Sequence, residues 1–221
     1  MSTLLTINVT NNELQAQNFF FFQQPAVYAG GPQVYSNSLY TALLGNSAQT
    51  GGILTFQVNL QYYAGVQQAT QPPQEGQTSG YASASQPIDL APSSGTANDW
   101  TTATLNPLGL SKPTQGSTVQ QGAFRISMPS FTPPALYNVG SAVAANGGIV
   151  LSNFVQASPN SNTDCQPILK YYVATGSYTP GTVMNFTQSS QNSALCDFTG
   201  GYTVINVTLN NDGTWTVKPI Q

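Results

Sequence analysis

The chain has 221 residues, 40% of them apolar, which suffices for one large β domain or two small ones, and only 5% are charged, where about 25% is usual. Four basic residues against seven acidic ones leave a net charge of −3, and Lys112, Arg125, Lys170 and Lys218 are scattered along the sequence, so neither nucleic acid nor an anionic membrane surface is expected as a partner. The polar surface must therefore rest on Asn, Gln, Ser and Thr, and a surface so weakly charged repels its own copies little.

Met1-Ser2-Thr3-Leu4-Leu5 has neither the basic region nor the apolar run of a signal peptide, and no stretch approaches transmembrane length. The expectation is a soluble chain, cytoplasmic at synthesis, with leaderless export as the route to any oxidising compartment. Leu5, Ile7 and Val9 then alternate with Thr6, Asn8 and Thr10, a first strand that Asn11-Asn12 stops. From Asn18 to Gln24 comes a strand with Phe19, Phe20, Phe21 and Phe22 in a row. Four consecutive rings must point to both faces, so this strand is either buried on both sides or offers half its rings to a partner copy. That makes Phe19 to Phe22 candidates for self-association.

Pro25 closes this strand, Gly30-Gly31-Pro32 turns the chain, and Val34 to Leu44 reads as an extended segment interrupted by Ser36, Asn37 and Ser38. Between Gly51 and Tyr63 the alternation is clearest. Leu54, Phe56, Val58, Leu60 and Tyr62 share one side while Ile53, Thr55, Gln57, Asn59 and Gln61 share the other, the signature of a half-buried strand placed centrally in its sheet. From Ala64 to Gly122 the prolines multiply, and only Thr101 to Leu105 reads as a strand. This segment is expected to be a long irregular loop that packs on the domain through residues such as Tyr81, Ile88, Leu90 and Trp100. Strands resume at Ala123 to Met128, at Ile149 to Ala157 after the turn signal Asn146-Gly147-Gly148, at Leu169 to Ala174 and at Thr182 to Thr187. The last hairpin is the clearest: Thr203, Ile205, Val207 and Leu209 lead to Asn210-Asn211-Asp212-Gly213, and Trp215 and Val217 resume the apolar face.

No window shows helical periodicity, so the expected fold is all-β: a single domain, residues 1–221, forming an antiparallel β-sandwich of jelly-roll type with residues 64–122 as an inserted loop. The chemistry is sparse. There is no histidine, which removes the common serine and cysteine triads and the usual zinc ligand. Glu13, Glu75, Asp89, Asp99, Asp164, Asp197 and Asp212 name no pair by their spacing, and no phosphate loop, dinucleotide fingerprint or metal-ligand pattern is present, so no enzyme, metal site or cofactor is expected. Cys165 and Cys196 are too few for a scaffold; reduced, partly buried thiols are the expectation, and pairing would follow only on export.

Asn98-Asp99-Trp100 is the one run where an amide, a carboxylate and an indole adjoin, a combination that can grip a sugar by its apolar face and hydroxyls. The plainer reading is an Asx-turn followed by a packed ring. Three functions follow, in order: a non-enzymatic structural protein that self-associates through neutral polar and aromatic surfaces, a lectin-like glycan binder using Asn98, Asp99 and Trp100, and a β pore-former, which the prolines between 64 and 122 disfavour.

Overall fold

In the computed structural model, which describes residues 3–146 and 148–220, the alternating segments fold as strands and the chain is almost entirely β. Met1 and Ser2 of the N-terminal stretch, Gly147 of the Asn146-Gly147-Gly148 turn, and Gln221 lie outside the described residues. The first half holds β1 (Leu4–Asn11), β2 (Gln17–Gln23), β3 (Val27–Tyr28), β4 (Tyr35–Asn37), β5 (Tyr40–Leu44), α1 (Ser47–Thr50), β6 (Leu54–Asn59), β7 (Tyr63–Ala69), β8 (Ala82–Pro87), β9 (Trp100–Leu105) and β10 (Leu108–Leu110). The second holds β11 (Phe124–Ser127), β12 (Leu136–Ala145), β13 (Gly148–Gln156), β14 (Asn162–Gln166), β15 (Lys170–Thr175), β16 (Val183–Met184), α2 (Phe186–Gln191), β17 (Ala194–Asp197), β18 (Val204–Leu209) and β19 (Trp215–Ile220).

These strands make three sheets. A ten-stranded sheet runs β16-β4-β13-β12-β6-β1-β18-β19, with β7 and β8 joined to β12; a five-stranded sheet runs β10-β9-β11-β14-β3; a four-stranded sheet runs β17-β15-β2-β5. Pairing is mostly antiparallel, and β1 with β18 and β9 with β11 are the parallel exceptions among the described residues. The expected central strand is central: β6 lies between β1 and β12. After Asn59 the chain bends through 60–62 and continues as β7, which pairs with β12 from Tyr63↔Ala142 to Ala69↔Leu136. A register shift between Ser141 and Ala142 bends β12 in turn.

This bent junction lets one sheet cover two cores. In the first, Leu5, Ile7, Val9, Phe56, Val58, Ile205 and Val207 of the large sheet pack on Phe19, Phe21, Tyr171 and Val173 of the four-stranded sheet. In the second, Val66 and Val139 pack on Tyr28, Phe124, Ile126 and Cys165 of the five-stranded sheet. Between the cores runs a belt of buried polar groups. The Tyr28 hydroxyl donates to Asn153 O at 2.7 Å, and the Asn153 Oδ1 accepts from Ala26 N at 3.0 Å. Close approach here requires Gly140, where a Cβ would lie 2.3 Å from both Asn153 O and the Tyr28 hydroxyl. Hydrogen bonding offsets the desolvation that burial of these groups costs.

The excursion expected from 64 to 122 is more ordered than its composition suggested, since it contributes β7, β8, β9 and β10 to two sheets. The strand expected over Thr182 to Thr187 is instead two residues of β16 followed by α2, because the Asn185 side chain accepts from Gln188 N and starts a helical turn. The terminal hairpin forms as read, with Leu209 opposite Trp215 and Gly213 at a φ of 79°.

Candidate functional site

The four phenylalanines are each 2% exposed or less. Phe19 and Phe21 fill the first core, whereas Phe20 and Phe22 sit on the reverse face of β2 with Ala174 and Met184, covered by Tyr172, Tyr178 and Phe186. Phe22 stacks on Tyr172 at 5.2 Å and meets Phe186 edge-on at 5.9 Å. Both faces of the strand are thus closed within one chain, which is the first of the two arrangements its sequence allows. The rings expected as a self-association surface are therefore not available to a partner.

The structure keeps Asn98, Asp99 and Trp100 adjacent but gives each its own task. Asn98 is exposed, and its N–H donates to the Asp89 carboxylate at 3.2 Å. Asp99 is buried, and its Oδ1 accepts from Gly116 N at 2.8 Å, which ties down a loop 17 residues away instead of forming a local Asx-turn. Trp100 opens β9, and its Nε1 donates to Ser127 Oγ at 2.7 Å. The Arg125 guanidinium lies 5.4 Å from the Trp100 ring centroid and forms a bidentate pair with Asp164, at 2.6 and 2.7 Å. That paired carboxylate raises the Arg125 pKa further above its usual range. One indole face is covered by the guanidinium and the carboxylate is engaged, so Trp100 joins a structural network across β9, β11 and β14 while Asp99 holds the Gly116 loop.

The outward face of β6, β1, β18 and β19 has a different character. Register places Thr55, Asn8, Asn206 and Lys218 in one row and Thr10, Thr208 and Thr216 in the next. Within the first row Thr55 Oγ1 donates to Asn8 Oδ1, and Asn8 Nδ2 donates to Asn206 Oδ1, both at 3.1 Å. The rows floor a shallow depression of about 530 Å³, bordered by Ile53 and Lys218, and no acid lines it. Beside it lies a second depression of about 360 Å³ whose lining includes Leu4, Gln57, Ala144 and Ile149. Leu4, Ile53 and Ile149 are 46%, 62% and 49% exposed. Alternation on β1, β6 and β18 was legible as a polar outer side; that these sides align into one hydrogen-bonded array depends on pairing across the chain.

Neither cysteine is reactive in this setting. Cys165 belongs to the second core and Cys196 to the first, both fully buried and free, so they do not pair. Burial pushes the Cys165 thiol up to about 12 and raises Cys196 in the same direction.

These sheets and their packing define an all-β, sandwich-like protein, and among the described residues no helix is long and apolar enough to cross a membrane. The chain belongs to the RhiA family, whose model matches residues 2–220 and so spans both cores. No curated protein and no solved structure matches it.

Proposed function

We propose that this chain is a non-enzymatic structural protein that assembles with further copies of itself through the outward face of β6, β1, β18 and β19. The observation that carries this reading is the neutral Thr and Asn array on that face, with a single cation, Lys218, and no acid in its lining. Hydroxyls and amides both donate and accept hydrogen bonds, so such a surface is complementary to itself. It also escapes the like-charge repulsion that keeps ordinary surfaces apart. Exposed Leu4, Ile53 and Ile149 add apolar area at its margins.

From strand spacing and rise, the face of β6, β1, β18 and β19 covers about 400 Å² per copy, or roughly 800 Å² in a face-to-face pair, the size of a weak contact that forms with rising concentration. The open edge of the sheet is less suited to assembly, because β19 carries Lys218 and Pro219, residues that blunt strand addition. Glycan binding at Asn98, Asp99 and Trp100 is the weaker reading, since those groups are engaged internally. No observation favours the pore-forming reading.

Light scattering on the untagged protein over a wide concentration range, with electron microscopy on the same samples, tests the proposal. Mass should rise with concentration. The double variant Asn8→Glu, Thr208→Glu should remain monomeric with an unchanged circular dichroism spectrum, because facing like charges cost several kcal/mol at an interface. A wild-type protein that stays monomeric throughout refutes it.

A further inference from the structure

Ile53 projects from the outward face at the start of β6. It continues the outward alternation of Thr55 and Gln57, borders the depression floored by the Thr and Asn rows, and is 62% exposed. Toward the other end of the same strand lies the depression of about 360 Å³, whose wall includes Leu4, Gln57, Ala144 and Ile149. Leu4, Gln57 and Ile149 are all exposed, so the hollow presents its groups to an occupant. One face therefore carries both an apolar projection and a largely apolar hollow, set apart along the strand direction.

Strand register fixes that separation. Leu4 pairs with Asn59 and Ala145 with Val58, which centres the hollow level with Val58, five positions along the strand from Ile53. At about 3.4 Å per residue, the projection and the hollow lie about 17 Å apart. A two-fold axis that runs between two copies and across their strands, halfway along this span, exchanges the two levels. Each Ile53 then stands over the hollow of the other copy, twice in one pair. An axis running along the strands instead keeps Ile53 at the same level in both copies and brings it over no hollow.

We infer that two copies of this chain pair about the axis that crosses the strands, with Ile53 of each seated in the hollow of the other against Leu4, Gln57 and Ile149. This pairing rests on the assembly proposed for the outward face and gives it a symmetry, since the same projection and hollow are used on both copies. The axis passes between the levels of Thr55 and Gln57, so the row of Thr55, Asn8 and Asn206 lies beside it and meets its own copy. Those hydroxyls and amides both donate and accept, and none is charged, so the row tolerates its own image. Lys218 ends the row on β19, at the edge of the sheet, where its ammonium stays in water. Burial of each isoleucine side chain adds roughly tenfold to the affinity.

Light scattering and native mass spectrometry on two variants, alone and mixed, test this arrangement. Ile53→Lys sets an unpaired charge over the hollow and should weaken pairing by at least about tenfold, with an unchanged circular dichroism spectrum because the position is exposed. Gln57→Glu, also at an exposed position, puts a carboxylate into the wall of the hollow. In an equal mixture the introduced lysine of one copy meets the introduced carboxylate of the other, while the second contact keeps its native groups. Pairs containing one copy of each variant should therefore form about tenfold more tightly than pairs of Ile53→Lys alone. Pairing of Ile53→Lys at wild-type strength overturns the inference and leaves assembly through the face standing. So does a mixture that pairs no better than Ile53→Lys alone. A wild-type protein that stays monomeric refutes the assembly itself and this symmetry with it.

Discussion

Phe21→Ala removes a ring that is 0% exposed, stacked on Phe56 at 4.3 Å and tilted against Tyr40 at 6.2 Å. Its backbone is held on both sides, opposite Val173 of β15 and Tyr40 of β5, so the site cannot collapse around the missing ring. Truncating a phenylalanine in such a core costs about 3–5 kcal/mol through lost transfer energy and the residual cavity. For a chain of this length each kcal/mol lowers the melting temperature by about 2–4 °C, so the variant should melt about 6–20 °C below the wild type. Thermal melts and urea unfolding at low and high protein concentration provide the assay. The ring is buried within one chain, so the loss should be the same at both concentrations. A loss within about 0.5 kcal/mol, the scale of an exposed substitution, refutes the reasoning. A loss that appears only at high concentration, together with reduced particle mass, returns Phe19 to Phe22 to an intermolecular interface.

Two further outcomes follow from the ionisable groups. Burial raises Cys165 to about 12 and Cys196 in the same direction, so the folded state favours neutral thiols: their contribution is fully present below the unfolded pKa of about 8.5 and is lost as pH rises through the folded values. Unfolding free energy should fall by about 1.4 kcal/mol per pH unit for each thiol once the unfolded thiols are ionised, and Cys165→Ala should halve the slope. Urea titrations between pH 7.5 and 9, below the unfolded tyrosine pKa of about 10, measure it; a flat profile contradicts the burial. Asp164→Asn should cost about 2–3 kcal/mol, because the Arg125 and Asp164 side chains are only 13% and 11% exposed and the guanidinium keeps its charge without its bidentate partner. A shift in urea midpoint worth less than about 0.5 kcal/mol would place the pair with ordinary surface ion pairs.

Strands with one wet face were legible. β1, β6 and β18 alternate, and the Asp212-Gly213 turn marks the last hairpin. β12 was not, although it is the longest strand, because its Gly, Ser and Ala residues are buried on both faces and leave no alternation to read. β7 was lost inside the proline-rich segment for the same reason. The start of α2 did leave a local signal, Asn185 three residues before Gln188, which the apolar Val183-Met184 pair masked. Ser36, Asn37 and Ser38 read only as an interruption of a strand; their burial depends on β4 lying between β13 and β16.

The sequence by itself determined the all-β class, the nearly uncharged surface and the poverty of acid–base groups, because composition and period-2 alternation are properties of short stretches and survive any packing. Tertiary structure alone decided that β1 pairs with β18 almost two hundred residues away, that one sheet serves two cores, that the four phenylalanines are sealed on both sides, and that Thr and Asn rows align into a single face. Those outcomes rest on contacts between distant segments, whose energies come from mutual burial that no local pattern encodes.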